Sequence, residues 1–424
     1  HPKNKSYSIN ISTINYTASD LNNLSSCWYS INNGADNITI NCYENITNQQ
    51  SRQGSNTWTI YINDTVGNQN QDSVTFLKDT INPLINYGDK TAENHANKSQ
   101  DFIYVNITIN ESFISNITYE LYNNTNGATL VNKTIYSTEI YTINWTNLKD
   151  GNYYYNVTIK DVVNLKNTTK TRKITIDDTP PNINYTTPTT NTGSYTQNWI
   201  QVNISAQEEI FSINTIQINL YNSTHNLINK TQTSNENIYL NYTNLNEQTY
   251  YLNASANDTL GNKNYTQTKT ITLDTTPPGI NYGYNTENNH ANKSQDFIYV
   301  NVSVNETNFA NITYNLYNDT NGATLVNKTI YSTEIYAINW TNLKDGNYSY
   351  NVTIKDKAGQ KNTTKTRKIT IDDTPPKISY ADNTENNHAN KSQNYIFVNV
   401  TFTENNYANI TYNLYNDTNG ATLV

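Results

Sequence analysis

Apolar and aromatic residues alternate with Asn, Thr and Ser along most of this chain. In 104–109 (YVNITI), 153–159 (YYYNVTI) and 348–354 (YSYNVTI), β-forming side chains are interleaved with short polar ones. Successive side chains of a strand point to opposite faces, so a period of two marks strands with one buried face. No stretch shows the 3.6-residue period of an amphipathic helix. The strands are short, about seven in each ~100 residues, and are separated by Gly, Asn and Asp turn signals. That pattern predicts an all-β chain of sandwiches.

The pattern repeats. Residues 94–106 (NHANKSQDFIYVN) recur at 289–301 and, with changes, at 387–399. Proline marks fix the period: DTINP ends at Pro83, DDTPP at Pro181, DTTPP at Pro278 and DDTPP at Pro376, in steps of 98, 97 and 98 residues. Each mark leads into a short apolar strand, with Ile85 and Tyr87, Ile183 and Tyr185, Ile280 and Tyr282, or Ile378 and Tyr380. Proline fixes its own φ and restricts the residue before it, so a double proline makes a stiff joint. The expected domains are 1–80, 81–178, 179–275, 276–373 and 374–424, the third diverged. The first is expected to lack the strand that follows the proline mark elsewhere, and the last to be a partial repeat. The chain neither begins with Met nor shows a signal peptide, and it stops in mid-repeat, so it reads as a portion of something larger.

Two local motifs refine the fold. LKDGNYYY at 148–155 recurs as LKDGNYSY at 343–350, a Leu, a Gly turn and a Tyr entering a strand. Tyr153, Tyr250 and Tyr348 are equivalent, while Asn56 stands in that place in the first domain. A hairpin turn recurs as DTVGN (64–68), DTLGN (258–262) and DKAGQ (356–360), with DVVNL (161–165) in the second domain. Gly supplies a positive φ there, and Asn164 is expected to adopt the same left-handed conformation. Together these features resemble the Ig-like repeats of bacterial and archaeal surface proteins, whose sandwiches end in a D-x-x-G-N hairpin and a D-x-T-P-P joint. The first domain, with Cys27-Trp-Tyr-Ser, Asn56-Thr-Trp-Thr and Asn63-Asp-Thr-Val-Gly-Asn, is most similar to archaeal examples. The resemblance implies tandem Ig-like, fibronectin III-like β-sandwich domains in an extended rod. Four to five sandwiches would span about 150 Å or more.

Composition adds a second theme. Only 15% of residues are charged and the net charge is −8, which argues against nucleic acid as a partner. The two basic clusters, KTRK at 170–173 and at 365–368, occupy equivalent strands and read as solvated strand faces. Asn far outnumbers Lys, although both have AT-rich codons. There are about 38 Asn-x-Ser/Thr acceptors for N-glycans, where random order would give roughly 17. Strand alternation alone would enrich the reversed order equally, yet Ser/Thr-x-Asn occurs only about 21 times. Directional enrichment points to selection for glycan attachment.

The candidate acceptors are Asn10, Asn15, Asn37, Asn45 and Asn63 in the first domain. In the second they are Asn97, Asn106, Asn116, Asn123, Asn132, Asn144, Asn156 and Asn167. The third has Asn203, Asn222, Asn229, Asn241, Asn253 and Asn264. The fourth has Asn292, Asn301, Asn311, Asn318, Asn327, Asn339, Asn351 and Asn362, and the last has Asn390, Asn399, Asn409 and Asn416.

Cys27 and Cys42 are the only cysteines. They flank a strand–turn–strand around Asn33-Gly34. Pairing residues whose numbers sum to 69 sets them opposite each other, so a cross-strand disulfide is expected, contributing about 3 kcal/mol. An oxidising, extracellular location follows.

Catalytic motifs are absent: there is no G-x-S-x-G, H-E-x-x-H or Walker loop. Three of the five histidines, His95, His290 and His388, are copies of one loop position and read as a repeat feature. Paired acids at Asp177-Asp178 and Asp372-Asp373 mark joints where calcium would suit oxygen ligands. Turn formation before Thr-Pro accounts for them, so no metal and no cofactor is expected. No run of about 20 apolar residues spans a membrane. The expectation is a non-enzymatic structural segment of a heavily glycosylated cell-surface protein, forming a stalk, filament or surface lattice by self-association. An adhesin holding a surface or carbohydrate partner is the alternative, with Trp199 and Glu208-Glu209 of the third domain as its distinguishing residues. A viral fibre is a third reading.

Overall fold

Every regular element among the described residues is a strand. The computed structural model describes residues 2–123, 129–137, 140–320, 322–416 and 422–423, and it arranges these strands in successive sheets. Among the described residues no helix is long and apolar enough to cross a membrane.

The first unit has one sheet. Its strands are β1 (Ser6–Tyr7), β2 (Leu24–Ser30), β3 (Ile38–Ile40), β4 (Gly54–Asp64) and β5 (Gln69–Lys78), in the order β1-β5-β4-β2-β3. A bridge between Ile14 and Ile46 lies against it. Between them Tyr7, Ile11, Ile14, Tyr29, Ile46, Trp58 and Phe76 form the core, with the Phe76 ring meeting Tyr7 and Trp58 edge-on.

The second unit is a two-sheet sandwich. Its strands are β6 (Leu84–Tyr87), β7 (Ala96–Lys98), β8 (Ile103–Asn110), β9 (Ile114–Asn123), β10 (Thr129–Tyr136), β11 (Thr142–Trp145), β12 (Gly151–Asp161), β13 (Lys166–Thr168) and β14 (Arg172–Ile176). One sheet runs β10-β9-β12-β14-β7 with β13 on β12, and the other runs β11-β8-β6. Only β7 pairs in parallel, with β14. The alternation read from the sequence becomes two facing rows. Ile103, Val105 and Ile107 of β8 meet Tyr153, Tyr155, Val157 and Ile159 of β12, all buried. Residues 182–273 and 279–371 repeat this arrangement, with a three-stranded and a six-stranded sheet each. In the first unit, β1 beside β5 is the counterpart of β7 beside β14; among the described residues nothing there corresponds to β6. Beyond Pro376 there are two two-stranded ladders, Lys377–Tyr380 with Val400–Thr403 and Tyr415–Asn416 with Thr422–Leu423, whose apolar side chains are largely exposed.

The turn motifs have a common physical basis. The Tyr153, Tyr250 and Tyr348 hydroxyls donate to the carbonyls four residues back, Lys149, Asn246 and Lys344, at 2.8, 2.9 and 3.0 Å. Asn56 makes the equivalent link with its amide, donating to the Arg52 carbonyl at 2.7 Å and accepting from the Arg52 N–H at 2.8 Å. In the hairpin turn an Asp carboxylate accepts from the N–H four residues on, as Asp64 does from Asn68 and Asp161 from Leu165. Asn164 takes the left-handed conformation with φ 74° where the other turns have Gly67, Gly261 and Gly359. His95, His290 and His388 are likewise left-handed, with φ between 62° and 65°, and the first two donate their N–H across to Lys173 and Lys368.

The disulfide forms, but not between directly opposed residues. Cys27 faces Ile40, Trp28 faces Thr39 and Tyr29 faces Ile38, so paired numbers sum to 67. A turn centred between Asn33 and Gly34 requires that register, two residues away from the expected one. Cys42 lies beyond the end of β3 and reaches back diagonally to Cys27, with a Cα–Cα separation of 5.3 Å.

Candidate functional sites

None of the 31 candidate acceptor asparagines is buried. Their placement separates them into classes. A sheet edge presents unpaired backbone groups that invite pairing with another chain. In the second unit the strands with a single paired neighbour are β10, β7 and β13 of one sheet and β11 and β6 of the other. Three of these five carry an exposed acceptor, Asn132 on β10, Asn97 on β7 and Asn144 on β11, and β13 carries the half-buried Asn167. The fourth unit repeats this with Asn327, Asn292 and Asn339, and the third has Asn229 and Asn241 on its edges. The Asn132 and Asn327 side chains accept from the indole N–H of Trp145 and Trp340 through their oxygen, at 3.1 Å each. Their amide nitrogens, where a glycan would attach, are not used in that bond.

A second class commits the amide nitrogen to the fold. Asn167, Asn264 and Asn362 donate it to the carbonyls of Pro83, Pro181 and Pro278, at 2.9, 3.0 and 3.1 Å. These bonds fasten each proline mark to the hairpin of the sandwich that follows. Asn106, Asn203, Asn301 and Asn399 donate theirs to backbone carbonyls of the loop after each unit's first strand.

The joints hold further contacts. Asn262 and Gln360 donate amide N–H groups to the Asp177 and Asp274 carbonyls. The paired acids behave differently from one another. Asp178 N–H and the Thr179 hydroxyl both bond Asp150, whereas Asp177 is fully buried. Desolvation pushes the Asp177 carboxyl up to about 6; the Thr179 N–H counters this, and nearby Glu208, Asp150 and Asp258 add to it. The KTRK clusters are anchored to the fold through their arginines. Arg172 lies 4.4 Å over the Tyr87 ring and donates to the Ala92 carbonyl, and Arg367 does the same with Tyr282 and Glu287. Two of the three residues that distinguished the third domain occupy repeat positions, while Glu209 stands where Ser112 and Thr307 do. Trp199 stands where Phe102 and Phe297 do, each receiving at its carbonyl a Gln side-chain bond. Glu208 corresponds to Glu111 and Glu306.

No family model and no curated protein matches this chain. Among solved structures it is similar to a tetra-tandem repeat from the extending region of a large adhesion protein, with 14% identity over 83% of this chain and 92% of that one, at a TM-score of 0.31. It is also similar to domains A168–A170 of titin, with 11% identity over 68% and 99% of the two chains and a TM-score of 0.35. The fibronectin domains FN1–FN3 of chicken CNTN1 give 14% identity over 68% and 98%, with a TM-score of 0.25.

Proposed function

We propose that this chain is a structural segment of an N-glycosylated extracellular surface protein, a stalk, filament or lattice element built from tandem sandwiches. One observation carries the reading: exposed acceptors stand on three of the five edge strands in the second unit and on the same three in the fourth. A weakly charged β-rich chain is otherwise prone to edge-to-edge pairing, and a bulky hydrophilic glycan blocks it. The proline joints, three of them held by an Asn amide, favour a semi-rigid spacer over a loose string. The adhesin alternative is weaker because Trp199 and Glu208 are shared repeat positions rather than a unique loop.

Glycopeptide mass spectrometry of native material tests this. The expected result is high occupancy at Asn97, Asn292, Asn144 and Asn339, with lower occupancy at Asn167, Asn264 and Asn362. Bare asparagines throughout the edge strands would sink the proposal. Electron microscopy of native cells separates stalk, filament and lattice.

A further inference from the structure

Three acidic triads recur at successive joints: Asp79, Glu111 and Asp161; Asp177, Glu208 and Asp258; Asp274, Glu306 and Asp356. In each, one ligand oxygen per residue lies within 4.8 Å of the other two, and both aspartates are buried. The first Asp comes from the segment leading into the proline mark. The Glu and second Asp come from the following sandwich, from the loop between β8 and β9 or its counterpart and from the end of the central strand, β12 or its counterpart. Three like charges this close, removed from water, repel strongly and need a compensating charge. None of the ion pairs among the described residues involves them.

Hydrogen bonds occupy one oxygen of each carboxylate at the first joint. Asp79 accepts from the Ile81 N–H and the Gln53 amide through Oδ1, Glu111 from the Phe113 N–H, and Asp161 from the Val163 and Leu165 N–H groups through Oδ1. The other oxygens of Asp79 and Asp161 are sealed from solvent and have no hydrogen-bond partner. The same is true of Asp177 Oδ2 and Glu208 Oε2 at the second joint, where Asp258 Oδ2 instead receives the Asn262 amide. A buried carboxylate oxygen without a partner is costly, and two in one triad point to a missing positive ligand. At the third joint, Asn308 and Gln360 amides fill the corresponding positions on Asp274 and Asp356.

We propose that the first two triads are divalent-cation sites of the hard, oxygen-ligated calcium type, each clamping a proline joint onto the sandwich after it. The donor set is all oxygen, without His or Cys, which selects calcium-like ions over zinc. Each ion would link the incoming segment, through Asp79 or Asp177, to two turns of the next sandwich. It would thereby fix the angle between successive units. This differs from the sequence expectation of no metal. The adjacent pair Asp177-Asp178 is not the site; Asp177 joins residues 31 and 81 positions further on. The inference is independent of the glycan reading.

The test is calcium titration of the full 424-residue chain after treatment with a chelator, by calorimetry and thermal unfolding, with a parallel magnesium arm. At least two calcium ions should bind per chain, and the unfolding temperature should rise with calcium. Asp79→Asn and Asp177→Asn together should weaken this binding by more than about tenfold. Unaltered binding in that variant overturns the assignment, an equal response to magnesium overturns the calcium type, and no response to either ion overturns the sites. Hydrogen exchange on the wild-type chain gives a readout that does not depend on variants folding. Calcium should protect the turns at 79–83, 111–113, 161–165, 177–181, 208–210 and 258–262, and protection elsewhere or none at all would overturn the proposal.

Discussion

The first unit closes a core cluster of seven buried apolar side chains beneath one five-stranded sheet, whereas the second encloses fifteen between two sheets. The smaller core carries the Cys27–Cys42 disulfide, and the larger ones have no cysteine. Cross-linking restricts the unfolded chain and offsets apolar area that the first unit does not bury. The same substitution of means appears at the turn, where Asn56 reaches its i−4 carbonyl with an amide and Tyr153 reaches its own with a phenol. The phenol also fills the core; the amide does not. A fixed turn geometry is therefore compatible with very different core sizes.

The largest expected effect on this contrast comes from the disulfide. Cys27→Ser with Cys42→Ser should destabilise the first unit by about 3 kcal/mol and leave the second unchanged, as resolved by hydrogen exchange. An equal loss in both units would show that they unfold together and break the contrast. The next effect should appear in alkali. Burial pushes the Tyr155 and Tyr350 hydroxyls up to about 12 from an ordinary value of 10. Below pH 10 both folded and unfolded states keep the proton. Above it the unfolded chain ionises first, so stability falls as pH rises from 10 towards 12, by about 2 kcal/mol per tyrosine. Denaturant midpoints of the second and fourth units should drop across that window. Replacing Tyr155 and Tyr350 by Phe should flatten the fall, and a fall that persists would sharpen attention on Tyr119 and Tyr314, also raised by burial. The smallest effect is at the turn. Tyr153→Phe removes one hydroxyl bond and should cost about 1 kcal/mol. Asn56→Ala leaves two Arg52 groups without their partner and should cost about 2 kcal/mol, measured as shifts in thermal midpoint.

Much of the fold was legible because it is local. Alternation specifies a strand wherever one face is buried, and Asp and Gly specify their turns through their own backbone. The left-handed Asn164 followed from that chemistry alone. The Cys27 register did not follow from placing the cysteines opposite each other, because the turn centre at Asn33-Gly34 sets the pairing and the cysteines accommodate it. The basic clusters looked solvated because sequence does not show that Arg172 stacks on a tyrosine 85 positions earlier. The acidic triads were illegible for the same reason: their members come together only through the sandwich topology. One signal was present. Asp, Glu and Asp recur in repeat register at 79, 111 and 161, at 177, 208 and 258, and at 274, 306 and 356, even though the third domain has diverged elsewhere.

If the chain is glycosylated as proposed, the bonds from Asn167, Asn264 and Asn362 to the proline carbonyls would give it a record of its own biosynthesis. Once a joint has closed, the nitrogen that a transferase must reach is packed against the chain. The edge-strand acceptors stay open in the finished molecule. Sugar at Asn167 would therefore mark modification of the chain before it folded, and sugar confined to Asn97 and Asn144 would mark modification afterwards. The ratio of the two occupancies orders folding and glycan transfer in time.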